Sequence, residues 1–140
     1  MIEWLRRRLR QTQEPSGFAR STERAAEKVH PYVVTDADFA SVILESSLPA
    51  VVDFWADWCM PCHMMSPAVD RLAREFEGRA LVAKLNVDEN PETPARYEIM
   101  GIPTVIFFHQ GREVDRVIGV VRYGVLASRL NAILAASEPS

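Results

Sequence analysis

The chain has 140 residues, of which 48% are hydrophobic and 25% charged, and its formal net charge is −3 at pH 7. This composition is typical of one ordinary globular domain. Two cysteines are too few for a disulfide-stapled secreted scaffold, and no apolar run is long enough to span a bilayer. The basic run from Arg6 to Arg8 interrupts the apolar stretch that a signal peptide requires, so we predict a cytoplasmic protein.

Charge divides the chain into two parts. Residues 1–30 hold seven basic and four acidic side chains, whereas the rest holds nine basic and fifteen acidic side chains. Together with a loop signal over residues 14–17, this predicts a basic N-terminal extension over residues 1–29 and a domain over residues 30–140. An acidic domain gives no reason to expect a nucleic-acid partner.

The extension carries a short amphipathic pattern. Ile2, Leu5 and Leu9 fall on one helical face, and the arginines lie largely elsewhere. Residues 1–10 therefore offer a means of binding an anionic membrane surface or an acidic partner, with Trp4 as an apolar anchor. The alternative is an extension that has no role at the functional site.

Apolar periodicity and turn residues predict the elements of the domain. In chain order they are a strand over 32–34, a helix over 35–45, a strand over 49–55, a helix over 59–77, a strand over 80–87, a short helix over 90–97, strands over 104–108 and 113–118, and a helix over 122–135. Alternation of strand and helix predicts parallel pairing, whereas Gln110-Gly111 predicts an antiparallel hairpin between the last two strands. We therefore predict an α/β fold with a mixed five-stranded sheet flanked by helices.

Both cysteines lie in the hexapeptide from Trp58 to His63, directly after an apolar run. If that run is a buried strand and the pair opens a helix, Cys59 lies where backbone N–H groups and the helix dipole stabilise a thiolate. Residues three apart share a helical face, so Cys62 can approach Cys59 closely enough to form a disulfide. Such a pair can cycle between dithiol and disulfide.

The stretch from Val51 to Pro67 closely resembles the active-site segment of thioredoxins. The resemblance continues through Lys84–Asp88, Gly101–Thr104 and Gly119, in the order of that family, and covers residues 30–136. A C-x-x-C motif alone is a weak signal. Several separate blocks in register make it a strong one.

The resemblance implies a thioredoxin fold and an enzyme that reduces protein disulfides. Cys59 corresponds to the thiolate that attacks a client disulfide, and Cys62 to the thiol that resolves the mixed disulfide. The implied partners are disulfide-containing proteins and a thioredoxin reductase that uses FAD and NADPH. The protein itself needs no cofactor and no metal in this interpretation.

Two further residues correspond to groups that tune the cysteines. Asp53 matches the buried aspartate of the family, a candidate base for Cys62 acting directly or through water. We expect burial to raise its pKa. Lys84 matches the lysine whose charge partly offsets that of the aspartate.

The resemblance also implies an apolar contact surface for client chains. Pro103 corresponds to a cis-proline opposite the cysteines, and Ile102 to the residue whose backbone pairs with the client strand. The residues expected to border this surface are Trp58, Met60, Pro61, Ile102, Pro103, Gly119 and Val120. Two positions depart from the family: Met60 stands in place of glycine, and His63 in place of lysine.

Three alternatives remain open at this point. Cys59 to His63 also fits C-x-x-C-H, the attachment signature of c-type haem, with His63 as an axial ligand. A structural zinc site would draw on Cys59, Cys62, His30, His63 and His109, although these histidines lack paired spacing. The third is a narrower redox or binding role toward one client or a membrane.

Overall fold

A computed structural model describes residues 29–137, which contain a five-stranded sheet and four helical segments. The strands are β1 (Tyr32–Val33), β2 (Ala50–Trp55), β3 (Leu81–Asn86), β4 (Thr104–His109) and β5 (Arg112–Ile118). The helices are α1 (Ala40–Leu44), α2 (Met60–Glu75), α3 (Glu92–Arg96) and α4 (Tyr123–Ser137). The amphipathic pattern predicted for residues 1–10 lies outside the described residues.

The sheet has the strand order β1-β3-β2-β4-β5, which confirms the predicted mixed topology. β1, β3 and β2 are parallel, whereas β4 is antiparallel to both β2 and β5. The β4–β5 turn is formed by Gln110 and Gly111 with φ of 52° and 79°, the left-handed backbone that a tight hairpin requires. β2 is thus the central strand, and its carboxyl end leads directly into the cysteine motif.

Two hydrophobic layers cover the two faces of the sheet. One layer joins Val51 of β2 to α2 and α4, and the other joins Val52 and Phe54 to α1 and the segment after α3. Successive side chains of a strand point to opposite faces. Asp53 therefore lies on the same face as Val51, beneath α2.

The apolar helix faces are where the sequence pattern placed them. Fully or nearly buried positions of the layer beneath α2 and α4 include Val69, Leu72, Ala73, Phe76, Leu126 and Leu130. Gly78 follows α2 with φ of +82°, a conformation that suits a helix C-terminus. No helix among residues 29–137 is both long enough and apolar enough to cross a membrane.

The first predicted helix is the largest departure from expectation. Instead of a helix over 35–45, the chain forms a turn followed by the π-helical segment α1. The cap signal is present, because Asp38 Oδ1 accepts the Thr35 N–H at 2.6 Å and the Thr35 hydroxyl at 3.0 Å. Burial of Phe39 and Ile43 holds the segment against the sheet, so tertiary packing outweighs regular helix geometry here. The other elements agree with their predicted bounds to within two residues.

Candidate active site

The cysteine pair lies at the amino end of α2. Cys59 is the N-cap residue, with extended backbone angles of φ −86° and ψ 101°, and Met60 begins the helix. Pro61 suits the first turn because backbone N–H groups there have no intrahelical acceptor. Cys59 and Cys62 form a disulfide with a Cα–Cα distance of 5.3 Å. The Cys62 N–H also donates to Cys59 Sγ at 3.2 Å, a contact that stabilises negative charge on that sulfur.

Both cysteines are nearly inaccessible to solvent. Cys59 is 3% exposed and Cys62 is 2% exposed, and they pack with Ala56 and Ile102. Cys59 Sγ lies 3.8 Å from the Ile102 carbonyl oxygen. The sulfur that is expected to react is therefore next to the backbone position at which a client strand is expected to pair.

The segment opposite the cysteines is held by backbone contacts. The Ile102–Pro103 peptide bond is cis, as the resemblance implied. The Pro103 carbonyl accepts the Gly119 N–H at 2.8 Å, and the Thr104 hydroxyl donates to the Gly101 carbonyl at 2.6 Å. Gly119 has φ of +89°, which a residue with a side chain rarely adopts. These contacts bring the two predicted positions Pro103 and Gly119 together.

Asp53 is a buried carboxyl group without a donor. It is 1% exposed, and neither oxygen has a hydrogen-bond partner among the described residues. Burial raises the pKa of Asp53 to about 7; the positive charge of Lys84 lowers it and the negative charge of Asp70 raises it. The predicted direction of this pKa shift is confirmed. A carboxyl group with such a pKa exchanges protons near neutral pH.

Lys84 lies beside Asp53 in the register of β2 and β3. Its ammonium is 3.3 Å from Ser66 Oγ and 4.7 Å from the centroid of the Trp55 ring, so it points toward α2 and is half-buried. Lys84 forms no ion pair with a carboxylate of residues 29–137. Its effect on Asp53 is therefore that of a nearby charge.

An apolar groove runs beside the disulfide. Trp58 is 70% exposed and its indole N–H donates to the Asp88 carboxylate at 2.9 Å, which fixes the ring at the edge of the groove. The groove has a volume of about 390 Å³ and is lined by Trp58, Val87, Pro91, Pro94, Ile99, Met100, Gly101 and Ile102. Sequence reasoning missed Asp88 as the partner of Trp58. It also missed Met100, whose only signal was an apolar residue next to a glycine.

Two other predicted contact residues, Met60 and Val120, do not line this groove. Met60 is 70% exposed and Val120 is 46% exposed. Val120 lines a second groove of about 630 Å³ between α2 and the start of α4, together with Met64 and Arg122. Trp58 and Ile102 are therefore brought into one groove, whereas Val120 lines the second groove.

The histidines are far from forming one ligand set. His63 Nε2 lies 2.7 Å from the Asp57 carbonyl, and because a carbonyl only accepts, this nitrogen carries the proton. His109 is the last residue of β4. Because β4 is antiparallel to β2, His109 lies at the end of the sheet away from the cysteines. Within residues 29–137 no group of three or more histidine, cysteine, aspartate or glutamate side chains is arranged to hold a metal ion.

Comparison with known proteins agrees with the geometry. The sequence profile of the thioredoxin family matches residues 30–132. Thioredoxin of Synechocystis sp. is 48% identical over 101 residues, which is 72% of this chain and 94% of that protein. Thioredoxin of Pyropia yezoensis is 48% identical over 102 residues, 73% of this chain and 95% of that protein. Thioredoxin of Rickettsia conorii is 44% identical over 98 residues, 70% of this chain and 93% of that protein.

These matches favour a redox dithiol over haem attachment for the cysteine motif, since they extend through the strand that carries Asp53 and the segment that carries Pro103. A cysteine pair at a helix N-terminus, joined by a disulfide and placed beside an apolar groove, is the arrangement that disulfide exchange requires. The chain belongs to the thioredoxin family and is a protein thiol–disulfide oxidoreductase working through Cys59 and Cys62.

Proposed function

We propose that Cys59 is the attacking and Cys62 the resolving residue in the reduction of protein disulfides. The Cys59 thiolate attacks one sulfur of a client disulfide, forming a mixed disulfide and releasing the other client sulfur, which takes up a proton. Cys62 then loses its proton and attacks Cys59, forming the intramolecular disulfide and releasing the second client thiol. Two electrons pass to the client. The observation that carries this assignment is the N-cap position of Cys59, whose sulfur accepts the Cys62 N–H.

Asp53 is the proposed acceptor of the Cys62 proton. Its support is a buried carboxyl group beneath α2 whose pKa is raised to about 7, so both its protonated and ionised forms are populated near neutral pH. Lys84 is proposed to tune that pKa, because its positive charge favours the ionised form.

Client chains are proposed to dock as an extended segment across the surface beside the disulfide. Ile102 supplies the backbone for pairing, with its carbonyl 3.8 Å from Cys59 Sγ, and the cis-proline Pro103 follows it. Apolar client side chains contact the exposed residues Trp58, Met60, Pro61 and Val120 and the half-buried Gly119. Main-chain hydrogen bonds give such docking its affinity with little demand on client sequence.

Family membership implies disulfide-containing substrates and a reductase that restores the dithiol. We propose that this reductase is a thioredoxin reductase with FAD and NADPH, and that the protein works in the cytoplasm. A general reductase of protein disulfides is expected to have a low reduction potential. Thioredoxins lie at about −270 mV, against about −120 mV for the oxidant DsbA. Equilibration with glutathione measures this value, and a potential near the DsbA end contradicts a reductase.

Cysteine variants test the assignment of attacker and resolver. Cys59→Ser is expected to abolish reduction of insulin disulfides, because the remaining thiol of Cys62 lies inside the helix and lacks the N-cap position that stabilises a thiolate on Cys59. Cys62→Ser is expected to retain attack and to accumulate mixed disulfides that are visible on non-reducing gels. Arg74→Gln on the exposed face of the same helix serves as a control for perturbation of α2. Full activity of Cys59→Ser would contradict the mechanism.

The division into an extension over 1–29 and a redox domain over 30–140 is also a proposal. It is supported by the family match, which begins at residue 30. A variant without residues 1–29 is expected to reduce insulin as the full chain does. Sedimentation of both proteins with anionic liposomes tests the membrane hypothesis, and equal partitioning contradicts it.

A further inference from the structure

Three methionines with exposed side chains surround the buried disulfide. Met60 is 70% exposed, Met64 is 67% exposed and Met100 is 96% exposed. Met60 and Met64 are four residues apart on α2 and so share one helix face directly after Cys59. Met100 lines the groove that also contains Trp58 and Ile102. Met60 is itself a proposed client contact, whereas Met64 and Met100 line grooves that contain the contact residues Val120 and Trp58.

A fourth methionine provides an internal contrast. Met65 is adjacent to Met64 in the chain, yet it is 1% exposed and packs in the layer beneath α2 and α4. Its sulfur accepts the Val121 N–H at 3.3 Å. The same residue type therefore occurs in neighbouring positions with an open and a shielded thioether.

We propose that Met60, Met64 and Met100 are oxidation sites through which hydroperoxides weaken client docking, an inference that rests on the proposed function of this surface. The thioether sulfur attacks one oxygen of the peroxide, the O–O bond breaks, and an S–O bond forms. The second oxygen takes up the proton that the new S–OH group loses and leaves as water from hydrogen peroxide or as an alcohol from an organic hydroperoxide. Sulfur loses two electrons and the peroxide gains them, while the disulfide takes no part.

The consequence follows from the change in polarity. A sulfoxide is polar and chiral, whereas a thioether is apolar and flexible. Covering a sulfoxide with an apolar client segment removes its hydration without supplying a donor, so docking weakens. Because Cys59 and Cys62 are untouched, the chemical step is unaffected. The expected signature is a KM that rises about three- to tenfold with kcat retained.

The test begins with the full chain in its disulfide form, which protects both cysteines. Hydrogen peroxide is added, and peptide mass mapping follows the gain of one oxygen atom at each methionine. We expect oxidation of Met60, Met64 and Met100 while Met65 stays unmodified. Oxidation of Met65 as fast as that of the other three overturns the assignment of sites.

Insulin reduction with dithiothreitol as electron donor then compares treated with untreated protein. The triple variant Met60→Leu, Met64→Leu, Met100→Leu is the matched control, because leucine is apolar and resists oxidation. Its ratio of treated to untreated KM is expected to stay near one, whatever its own starting KM. An unchanged KM in fully oxidised wild-type protein overturns the proposal. If untreated protein fails to reduce insulin, the proposed function is wrong, and the mass map still decides the oxidation sites.

Discussion

Two aspartates of this domain, Asp36 and Asp53, have opposite environments. Asp36 accepts hydrogen bonds from the Thr93 hydroxyl at 2.6 Å, the Thr93 N–H at 2.8 Å and the Glu92 N–H at 3.1 Å. Partial burial raises the pKa of Asp36, but these bonds together outweigh it and hold the pKa below its ordinary value. Asp53 has no such donor among residues 29–137, and burial raises its pKa to about 7.

The difference shows how one residue type serves structure or chemistry. Asp36 satisfies backbone N–H groups at the start of α3 and so ties the segment after β1 to that helix. The ionised carboxylate of Asp36 therefore stabilises the fold through these hydrogen bonds. Asp53 has no hydrogen-bond donor among residues 29–137 that stabilises its ionised form, so its pKa lies near neutral pH. When Asp53 ionises, the buried charge lowers the stability of the fold.

The largest expected effect is on stability. The native state holds the Asp53 proton up to a pH of about 7, whereas the unfolded chain loses it near 4, so stability falls as pH rises through that window. Asp53→Asn removes this cost and is expected to raise the free energy of unfolding by roughly 4 kcal/mol at pH 8, with little change at pH 3. Guanidinium unfolding of the disulfide form measures both values. A gain of equal size at both pH values contradicts ionisation as the cause.

Asp53→Asn also tests the proposed role of Asp53 as the base for Cys62. Without a base, Cys62 loses its proton more slowly, and Asp53→Asn is expected to slow resolution of a mixed disulfide by about 100-fold at pH 7. Rapid-quench measurement of client release reports this rate. In the wild type the rate should rise with pH through an inflection near 7, which the variant lacks. An unchanged rate removes Asp53 as the base.

A smaller effect is expected at the structural aspartate. Asp36→Ala leaves backbone groups of Glu92 and Thr93 without their acceptor, which is expected to cost about 1–2 kcal/mol of stability at pH 7. Because the pKa of Asp36 is lowered, its contribution is present above the ordinary aspartate range and disappears as pH falls through the lowered value. Thermal unfolding at pH 7 and at strongly acidic pH measures the difference.

Asp36→Ala should leave the rate of insulin reduction unchanged at saturating substrate. A loss of activity as large as that of Asp53→Asn would erase the distinction between the two carboxyl groups. Asp36→Asn, which keeps one acceptor oxygen, should fall between Asp36→Ala and the wild type in stability.

The smallest expected effect concerns Lys84. Lys84→Gln removes the positive charge that favours ionised Asp53, while retaining a polar group near Ser66. The pKa of Asp53 then rises further, and the inflection in the resolution rate moves to higher pH, with less than about tenfold loss at pH 7. A shift of the inflection to lower pH contradicts the proposed role of Lys84.

Much of the fold and part of the site were predictable from sequence. The hairpin at Gln110-Gly111 and the apolar faces of α2 and α4 follow from local chemistry and periodicity, and they are confirmed. The predicted helix over 35–45 was wrong in extent because packing of Phe39 and Ile43 shapes that segment. The roles proposed for Asp53, Lys84 and Pro103 came from family resemblance, since no local pattern identifies them.

The sequence by itself determined the order of elements, the spacing that places Cys62 on the helix face of Cys59, and the turn residues between strands. These properties depend on neighbours within a few positions of the chain. Only the tertiary structure decided that Asp53 is buried without a hydrogen-bond donor, whereas Asp36 accepts three hydrogen bonds. It also decided that Trp58 and Met100 line the same groove. Burial and hydrogen-bond partners depend on packing between segments that lie tens of residues apart in the chain. Local periodicity does not predict which of these segments pack together.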